Sequence, residues 1–382
     1  MNSQDTAYLL SIIMQMGLHG GKAQSFAIVG PPGIGKTQGI EALSKAIAAK
    51  LGSDFPCEIW SGPQIQAEDA AGLPVPDLES GTTRLLPLRL GESVLKSNAG
   101  VLCIDEFGSI SPPQEAAFLN LLQGGRLGER ILPSSVALGA LLNPEDHASN
   151  ARMLSAPAAN RFIWLNWTLD PSTWLDYMSG GPGFGAKVGI LKPDWEERFG
   201  PQARSLITSY IKRNTARLHA MPEIFKASGP WPSPRSWEAA SRILAALLSL
   251  GERKESDLCH TAISGCVGDG DGDAFMSWLV SMNLPDPEEL LASPKKASKL
   301  LPERNDQLAV CMETLATAAL MQHPERKDRW ETAWEILSPV FEDKNDVGLA
   351  AASMLAADIP KGAAIPNIAL KVYDIFQKAG LA

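Results

Sequence analysis

Hydrophobic positions follow two different patterns along the chain, with a change at about residue 170. Before this point, short continuous apolar runs predict strands at 25–29, 56–60, 101–104, 136–142 and 162–165. Between them lie segments whose apolar residues recur every three or four positions, as in the helix predicted from Gln38 to Leu51. Strands that are apolar on both faces and alternate with helices predict a parallel α/β sheet.

Helical periodicity dominates the rest of the chain. Helices are predicted at 203–219, 237–250, 258–267 and 274–282. The Pro-rich sequence at 284–287 then precedes a last helical region. Near the N-terminus, a short helix is predicted from Tyr8 to Met16, and the Pro- and Gly-rich segment 61–98 is interpreted as an irregular insert. We therefore predict three domains: an α/β core at 1–169, an all-α domain at 170–284 and a helical extension at 285–382.

The composition is that of an ordinary globular protein, because 45% of the 382 residues are hydrophobic and 20% are charged. No apolar run approaches the roughly 20 residues of a membrane-spanning helix. The N-terminus lacks the basic and apolar regions of a secretion signal, so a cytoplasmic location is expected. The formal net charge of −9 disfavours broad binding to nucleic acid, although it leaves a local basic channel open.

Metal chemistry finds little support in the sequence outside the motifs described below. Five cysteines are scattered along the chain without a C-x-x-C pair and are expected to be reduced and mostly buried: Cys57, Cys103, Cys259, Cys266 and Cys311. A zinc site at Cys259, His260 and Cys266 would lack a fourth ligand at a suitable spacing. The Asp-rich segment that follows carries Ala274 where a calcium loop needs Gly, so a turn with Asp273 as helix N-cap is predicted instead.

The strongest chemical signal follows the first strand, where the chain reads Gly30-Pro-Pro-Gly-Ile-Gly-Lys-Thr37. This spacing is the phosphate-binding loop pattern. Glycines let backbone N–H groups turn toward phosphate oxygens, Lys36 is predicted to reach the β- and γ-phosphates, and the Thr37 hydroxyl to ligate Mg²⁺. The helix that follows would place its N-terminus at the anion. The predicted nucleotide-binding residues are Gly30, Pro31, Pro32, Gly33, Ile34, Gly35, Lys36, Thr37 and Gln38.

Two carboxylates at the end of another apolar strand supply what hydrolysis needs beyond phosphate binding. Asp105 and Glu106 directly follow the run 101–104. We predict that Asp105 holds the Mg²⁺ shell and that Glu106 acts as a general base on the attacking water. Ligands bind at the carboxyl ends of strands in open α/β sheets, so both side chains are expected beside Lys36.

Polar residues on later elements are further candidates. Asn143 ends the strand 136–142 and is predicted to hydrogen-bond the attacking water or the γ-phosphate, the alternative being a turn residue before proline. Arg161 precedes the next strand and is a candidate to neutralise phosphate charge on a neighbouring subunit's nucleotide, or else a salt-bridged surface residue. Arg152 is a less favoured candidate for the same role. Arg235 opens a helix and is predicted to contact the γ-phosphate in cis.

The order of these motifs resembles that of the AAA+ ATPase superfamily, and within it the MoxR-type branch. The resemblance spans about residues 8–283 and rests on Gly30–Thr37, Gly72–Pro74, Leu102–Glu106, Ser111–Gln114, Leu142–Pro144, Asn160–Phe162 and Ser233–Arg235. It implies an AAA+ P-loop parallel-sheet core followed by an all-α lid domain and a C-terminal helical extension. It also implies that Asn143 is the sensor-1 residue, Arg161 the arginine finger and Arg235 the sensor-2 residue. Residues 285–382 match no family motif.

The same resemblance implies an ATP hydrolase that uses Mg²⁺, assembles as a hexameric ring and remodels a protein client. Such proteins are frequently paired with a protein that bears a von Willebrand factor A domain. A nucleic-acid motor or loader built on the same core is the alternative, and an assembly module that hardly turns over ATP is a third. The acidic composition disfavours nucleic acid, and the presence of Lys36, Asp105 and Glu106 disfavours the inactive module.

The segment Arg126–Leu132 matches the position of the hairpin that the family inserts before sensor 1. Leu127, Ile131 and Leu132 are apolar where a fully solvated hairpin would be polar. They are expected either to touch a client or to pack against the insert 61–98.

Overall fold

The computed structural model describes residues 3–86, 91–144, 154–185, 187–223, 228–321, 323–369 and 371–372. The chain folds into two compact units. The first unit comprises Met1–Glu196 and Ala216–Asp273, and the second comprises Glu197–Thr215 and Ala274–Ala382. The predicted domain boundaries at residues 169 and 284 stay a prediction.

The strands are β1 (Phe26–Val29), β2 (Cys57–Ser61), β3 (Leu73–Asp77), β4 (Thr82–Leu86), β5 (Gly100–Asp105), β6 (Arg126–Leu127), β7 (Arg130–Ile131), β8 (Val136–Leu142) and β9 (Ile163–Asn166). The helices of the first unit are α1 (Ser3–Gln15), α2 (Lys36–Leu51), α3 (Ala67–Ala71), α4 (Glu92–Ser97), α5 (Pro112–Gly124), α6 (Ala156–Ala159), α7 (Pro171–Met178), α9 (Pro234–Ser249) and α10 (Asp257–Val267). The boundaries between the units cross α8 (Trp195–Arg213) and α11 (Asp269–Met282), and the second unit continues with α12 (Pro287–Ala292), α13 (Pro294–Leu300), α14 (Asn305–Leu320), α15 (Arg326–Asp343) and α16 (Asn345–Ala357).

Five of the strands form one parallel sheet in the order β2-β5-β8-β1-β9. Every residue of β8 is buried, and β5 is buried up to Ile104, as expected for strands covered on both faces. The polar residues come where these strands end, at Asp105 and Asn143. The predicted fold class is confirmed: a parallel α/β core is followed by a mostly helical C-terminal part.

The interpretation of residues 61–98 as irregular is wrong, because this segment contains the β3–β4 hairpin and the helices α3 and α4. Pro74 and Pro76 suggested a break in regular structure. Pro74 lies opposite Leu85, whose N–H and C=O turn away from β3 to bond Glu129. No ladder N–H is needed at that position of β3, so proline is tolerated in this edge strand.

Several predicted helix boundaries differ from the structure. The helix α1 begins at Ser3, and α8 runs from Trp195 to Arg213 where a helix at 203–219 was expected. Asp273 is not an N-cap, because α11 begins at Asp269. The early start follows from Asp269 and Asp271, whose carboxylates favour the first turn of a helix.

The second unit is a helical bundle with its own core. Tyr210 packs edge-on against Phe275, with ring centroids 5.2 Å apart. The Trp330 indole N–H donates to the backbone oxygen of Leu355 at 2.9 Å, which ties α15 to α16. Among the residues that the structure describes, no helix is both long enough and apolar enough to cross a membrane.

Candidate functional site

The loop that joins β1 to α2 has the conformation that a phosphate-binding loop needs. The helix begins directly at Lys36, after Gly35 with φ 81°. This left-handed conformation is costly for residues with a side chain. At Gly30 the constraint is space, because an added Cβ would lie 2.5 Å from the Trp167 backbone oxygen. The glycines of the motif therefore meet two requirements of the fold: a left-handed backbone at Gly35 and space at Gly30.

Lys36 lies almost buried at the start of α2, with 8% of its surface exposed. Its ammonium donates to the backbone oxygens of Gly30 at 2.5 Å and Pro31 at 3.0 Å, and to Asn143 Oδ1 at 2.8 Å. Burial lowers the pKa of Lys36, and the negative charge of Asp105 opposes that shift. The cation is thus held at the loop by three oxygens, none of which carries a full charge.

The side chains of Thr37 and Asp105 are in contact at the carboxyl ends of the strands. The Thr37 hydroxyl donates to Asp105 Oδ2 at 3.1 Å. A hydroxyl and a carboxylate are the oxygen ligands that Mg²⁺ accepts from proteins alongside phosphate oxygens and water. The pair therefore fits the Mg²⁺ that the sequence predicted there.

Glu106 lies next to this pair in an unusual backbone conformation. Its φ of 55° is left-handed, and its N–H donates to Asp105 Oδ1 at 2.8 Å. Non-glycine residues in this region cost free energy and are common at functional sites. The conformation places Glu106 in the lining of the same cavity as Lys36 and Thr37.

One cavity of about 750 Å³ collects these side chains. Its lining includes Gly33, Lys36, Thr37, Asp105, Glu106 and Asn143. Its volume falls in the range of sites that bind small molecules. The predicted residues from three separate segments of the sequence therefore meet at one site, at the carboxyl ends of β1, β5 and β8.

The lining of the same cavity also includes a set of apolar residues from 169–184, which the sequence did not predict. We call this the aromatic wall: Leu169, Pro171, Trp174, Tyr177, Pro182 and Phe184. Three of its members lie three positions apart on one helix, α7, which is the only hint in the sequence. Such spacing is typical of a core-facing helix, so it did not single out a binding surface.

The two predicted arginines lie close enough to each other for their charges to interact. Arg161 is half-buried and donates through Nη1 to the backbone oxygen of Pro157. Burial lowers the Arg161 pKa, and the positive charge of Arg235 adds to that shift. Neither arginine is among the described residues that line the cavity of Lys36. Arg152 lies outside the described residues.

The hairpin before β8 packs against the chain itself. Leu127 is 1% exposed within the hydrophobic core and Leu132 is also buried, whereas Ile131 is 60% exposed. The Gly128 N–H donates to the Ala70 oxygen at 3.2 Å, inside the predicted insert. Of the two alternatives that the sequence left open, packing within the chain therefore applies to Leu127 and Leu132, whereas Ile131 is exposed.

The side chains of Cys259, His260 and Cys266, considered above for a zinc site, are not grouped as metal ligands. His260 pairs with Asp273 at 2.7 Å, and burial raises the pKa of Cys259 to about 11. In the described parts of the chain, no group of three or more His, Cys, Asp and Glu side chains is placed to hold a metal ion.

Comparison with known proteins gives fold-level similarity alone. No family model matches the chain, and no curated protein matches it either. A candidate ATPase from Cytophaga hutchinsonii is 16% identical, covers 68% of this chain and 79% of its own, and has a TM-score of 0.44. An MCM homologue from Methanopyrus kandleri is 14% identical over 72% of this chain and 54% of its own, with a TM-score of 0.34. The ORC1 protein of Aeropyrum pernix, solved in complex with DNA, is 14% identical over 90% of this chain and 83% of its own, with a TM-score of 0.30. At these values the similarities carry no argument about activity, so the functional proposal depends on the site itself.

Proposed function

We propose that this chain is a Mg²⁺-dependent ATP hydrolase of the AAA+ type, nearest to the MoxR branch. The observation that carries the proposal is the meeting of Lys36, Thr37, Asp105, Glu106 and Asn143 around one cavity at the start of α2. A general anion-binding loop would need only the glycines and the lysine. The two adjacent carboxylates and the amide are the additional groups that phosphoryl transfer to water requires.

Each residue has a distinct task in this proposal. The backbone N–H groups of residues 33–37 and the Lys36 ammonium bind the phosphates. Thr37 and Asp105 hold Mg²⁺, which neutralises phosphate charge when it is bound. Glu106 accepts a proton from the attacking water, and the Asn143 amide orients that water or the γ-phosphate.

We further propose that the chain works as a hexameric ring in which Arg161 acts on the neighbouring subunit's nucleotide. Two guanidinium groups close enough to lower a pKa repel each other, so an anion between them would be favourable. The subunit's own nucleotide cavity does not include Arg161 or Arg235 in its described lining, which supports an anion supplied by a neighbour. In this proposal Arg235 acts with Arg161, and the cis contact expected from the sequence stays the alternative.

For the cellular role we propose remodelling of a protein client in the cytoplasm, with a von Willebrand factor A domain protein as the expected partner type. The formal charge of −9 supports a protein client over a nucleic acid. Binding to DNA that weakens steeply as salt rises would instead support the nucleic-acid alternative.

The test of the proposed activity is phosphate release from ATP by the purified chain. We expect release that requires Mg²⁺, stops when EDTA is added and is lost in Lys36→Ala. A rate equal in the wild type and in Lys36→Ala would overturn the proposal, because a contaminating hydrolase would then account for the activity.

A further inference from the structure

A buried hydrogen bond joins the residue before Arg161 to the residue that caps the helix of Arg235. The Ser233 hydroxyl donates to Asn160 Oδ1 at 2.7 Å, although the two residues are 73 positions apart in the sequence. Both side chains are buried, with 6% of Asn160 and 4% of Ser233 exposed. A hydrogen bond away from water is costly to leave unmade, so this contact fixes the entry to β9 against the start of α9.

Asn160 makes a second hydrogen bond to the chain that leads into α9. Its Nδ2 donates to the Trp231 backbone oxygen at 3.0 Å, and the Ser236 hydroxyl donates to the same oxygen at 2.9 Å. The Ser236 N–H in turn donates to Ser233 Oγ at 3.2 Å. The Trp231 indole N–H donates to the backbone oxygen of Ala156, in the helix before Asn160, at 3.3 Å. The side-chain oxygen and nitrogen of Asn160 are therefore both used, and the chain before α9 has a defined position against them.

Each arginine is close in sequence to one member of this network. Arg161 directly follows Asn160, and Arg235 lies two positions after Ser233. The Arg161 Nη1 donates to the backbone oxygen of Pro157, whereas its Nε is buried and has no hydrogen-bond partner in the described part of the chain. The Arg235 side chain is exposed. The bond between Asn160 and Ser233 therefore connects the backbones that carry the two guanidinium groups.

Such a connection matters because the two guanidinium groups repel each other. The positive charge of Arg235 adds to the burial that lowers the Arg161 pKa, so the two charges are close enough to interact. Arginine side chains have many rotamers, and repulsion favours those that move the charges apart. Asn160 is uncharged, so it holds the two backbones together without neutralising the positive charge that attracts an anion.

We propose that Asn160 is a positioning residue that, through Ser233, keeps Arg161 and Arg235 directed at one anion. This inference rests on the proposed function, in which that anion is the nucleotide phosphate of a neighbouring subunit, and it adds the residue that sets the geometry of the pair. Asn160 itself does not touch the nucleotide. Loss of its side chain leaves both guanidinium groups present but misplaced, and a displacement of about 1 Å at a reacting group costs roughly a hundredfold in rate.

The experiment measures ATP hydrolysis by Asn160→Ala alone and after mixing with Lys36→Ala. Alone, Asn160→Ala should hydrolyse ATP at least about tenfold more slowly than the wild type, with an ATP dissociation constant within about twofold. Mixing with Lys36→Ala should restore part of the activity, because an intact Lys36 then meets an intact arginine pair on a neighbouring subunit. A defect in the nucleotide cavity of Asn160→Ala itself would not be repaired in this way.

A double-mutant cycle tests the connection through Ser233. Asn160→Ala combined with Ser233→Ala should hydrolyse ATP within about twofold of the slower single variant, because both substitutions remove the same bond. Ser256→Ala is the matched control. Ser256 caps α10 by accepting from the Cys259 N–H, as Ser233 caps α9, but its hydroxyl takes no part in the bonds of Asn160. Ser256→Ala should therefore lose a helix cap and keep the wild-type rate of hydrolysis.

The outcomes separate this inference from the proposed function. Wild-type turnover in Asn160→Ala would overturn the inference, and so would recovery on mixing with Lys36→Ala for Arg161→Ala but not for Asn160→Ala. No recovery for Arg161→Ala in assemblies shown to be mixed would overturn the action on a neighbouring subunit and this inference with it. Wild-type protein that hydrolyses no ATP would overturn the proposed function itself.

Thermal unfolding midpoints establish that each variant is folded at the assay temperature. If Asn160→Ala is unfolded there, Ser233→Ala replaces it in the mixing experiment with the same expected recovery, because its hydroxyl is the other partner of the bond. No recovery with Ser233→Ala, where Arg161→Ala recovers, would overturn the inference.

Discussion

The Lys36 ammonium donates a hydrogen bond of 2.8 Å to Asn143 Oδ1, which joins the start of α2 to the end of β8. The two residues are far apart in the sequence but meet because β1 and β8 are neighbours in the sheet. The residue proposed to bind phosphate and the residue proposed to orient the attacking water are thus directly linked. The three hydrogen bonds of Lys36 use all three ammonium protons, so a bound phosphate must replace at least one of them, and the bond to Asn143 is one of the three.

Substitutions of Asn143 test this link. Asn143→Ala removes one of three oxygens that hold Lys36, so ATP affinity should change by less than about fivefold, while hydrolysis should fall by at least about tenfold. Asn143→Asp places a negative charge 2.8 Å from the ammonium and should weaken ATP binding, because the new ion pair competes with the phosphates. Binding is measured by calorimetry and turnover by phosphate release. Normal turnover in Asn143→Ala would remove Asn143 from the reaction.

The arginine pair predicts complementation between inactive variants. Arg161→Ala and Arg235→Ala should each bind ATP normally and lose hydrolysis if, as we propose, their guanidinium groups act on a neighbouring subunit's nucleotide. Mixing either one with Lys36→Ala should restore part of the activity, since some interfaces then combine an intact Lys36 with an intact arginine. The mixed assembly must first be demonstrated with two affinity tags. Recovery with Arg161→Ala but not with Arg235→Ala would indicate that Arg235 contacts the γ-phosphate of its own subunit's nucleotide.

Two alanine substitutions in the hairpin before β8 should differ sharply in their effect on the free energy of unfolding. Leu127→Ala opens a cavity in the core and should cost about 2–5 kcal/mol in the free energy of unfolding. Ile131→Ala changes a side chain that is 60% exposed and should stay within about 0.5 kcal/mol of the wild type. Urea unfolding followed by fluorescence measures both. Ile131→Ala then allows a test of client contact in a folded protein, whereas Leu127→Ala does not.

The phosphate-binding part of the site could be predicted from sequence because each of its segments has a recognisable local pattern. A glycine-rich loop needs a particular backbone, and Asp105 and Asn143 each follow an apolar run that only a buried strand explains. Parallel strands bring their carboxyl ends to one edge, so residues distant in sequence were expected together. The exact partners of Lys36 were not predicted, because they depend on how one side chain folds back on its own loop.

The aromatic wall and the insert could not be predicted for a different reason. Whether Trp174 faces a core or a cavity depends on which elements cover α7, and helical spacing is the same in both cases. Pro74 and Pro76 read as breaks because proline removes a ladder N–H, but an edge strand has positions that need none. In both cases the deciding fact is tertiary placement, which the local pattern does not contain.

The most direct test of the central claim compares Glu106→Gln with the wild type in ATP binding and in single-turnover hydrolysis. Glutamine keeps the size and hydrogen bonding of Glu106 but removes the base. Glu106 lines the cavity, and the hydrogen bonds of Lys36 go to Gly30, Pro31 and Asn143. We predict an ATP dissociation constant within about threefold of the wild type and hydrolysis at least about a hundredfold slower, given typical general-base contributions. Hydrolysis at the wild-type rate in Glu106→Gln, with ATP bound, would contradict the account.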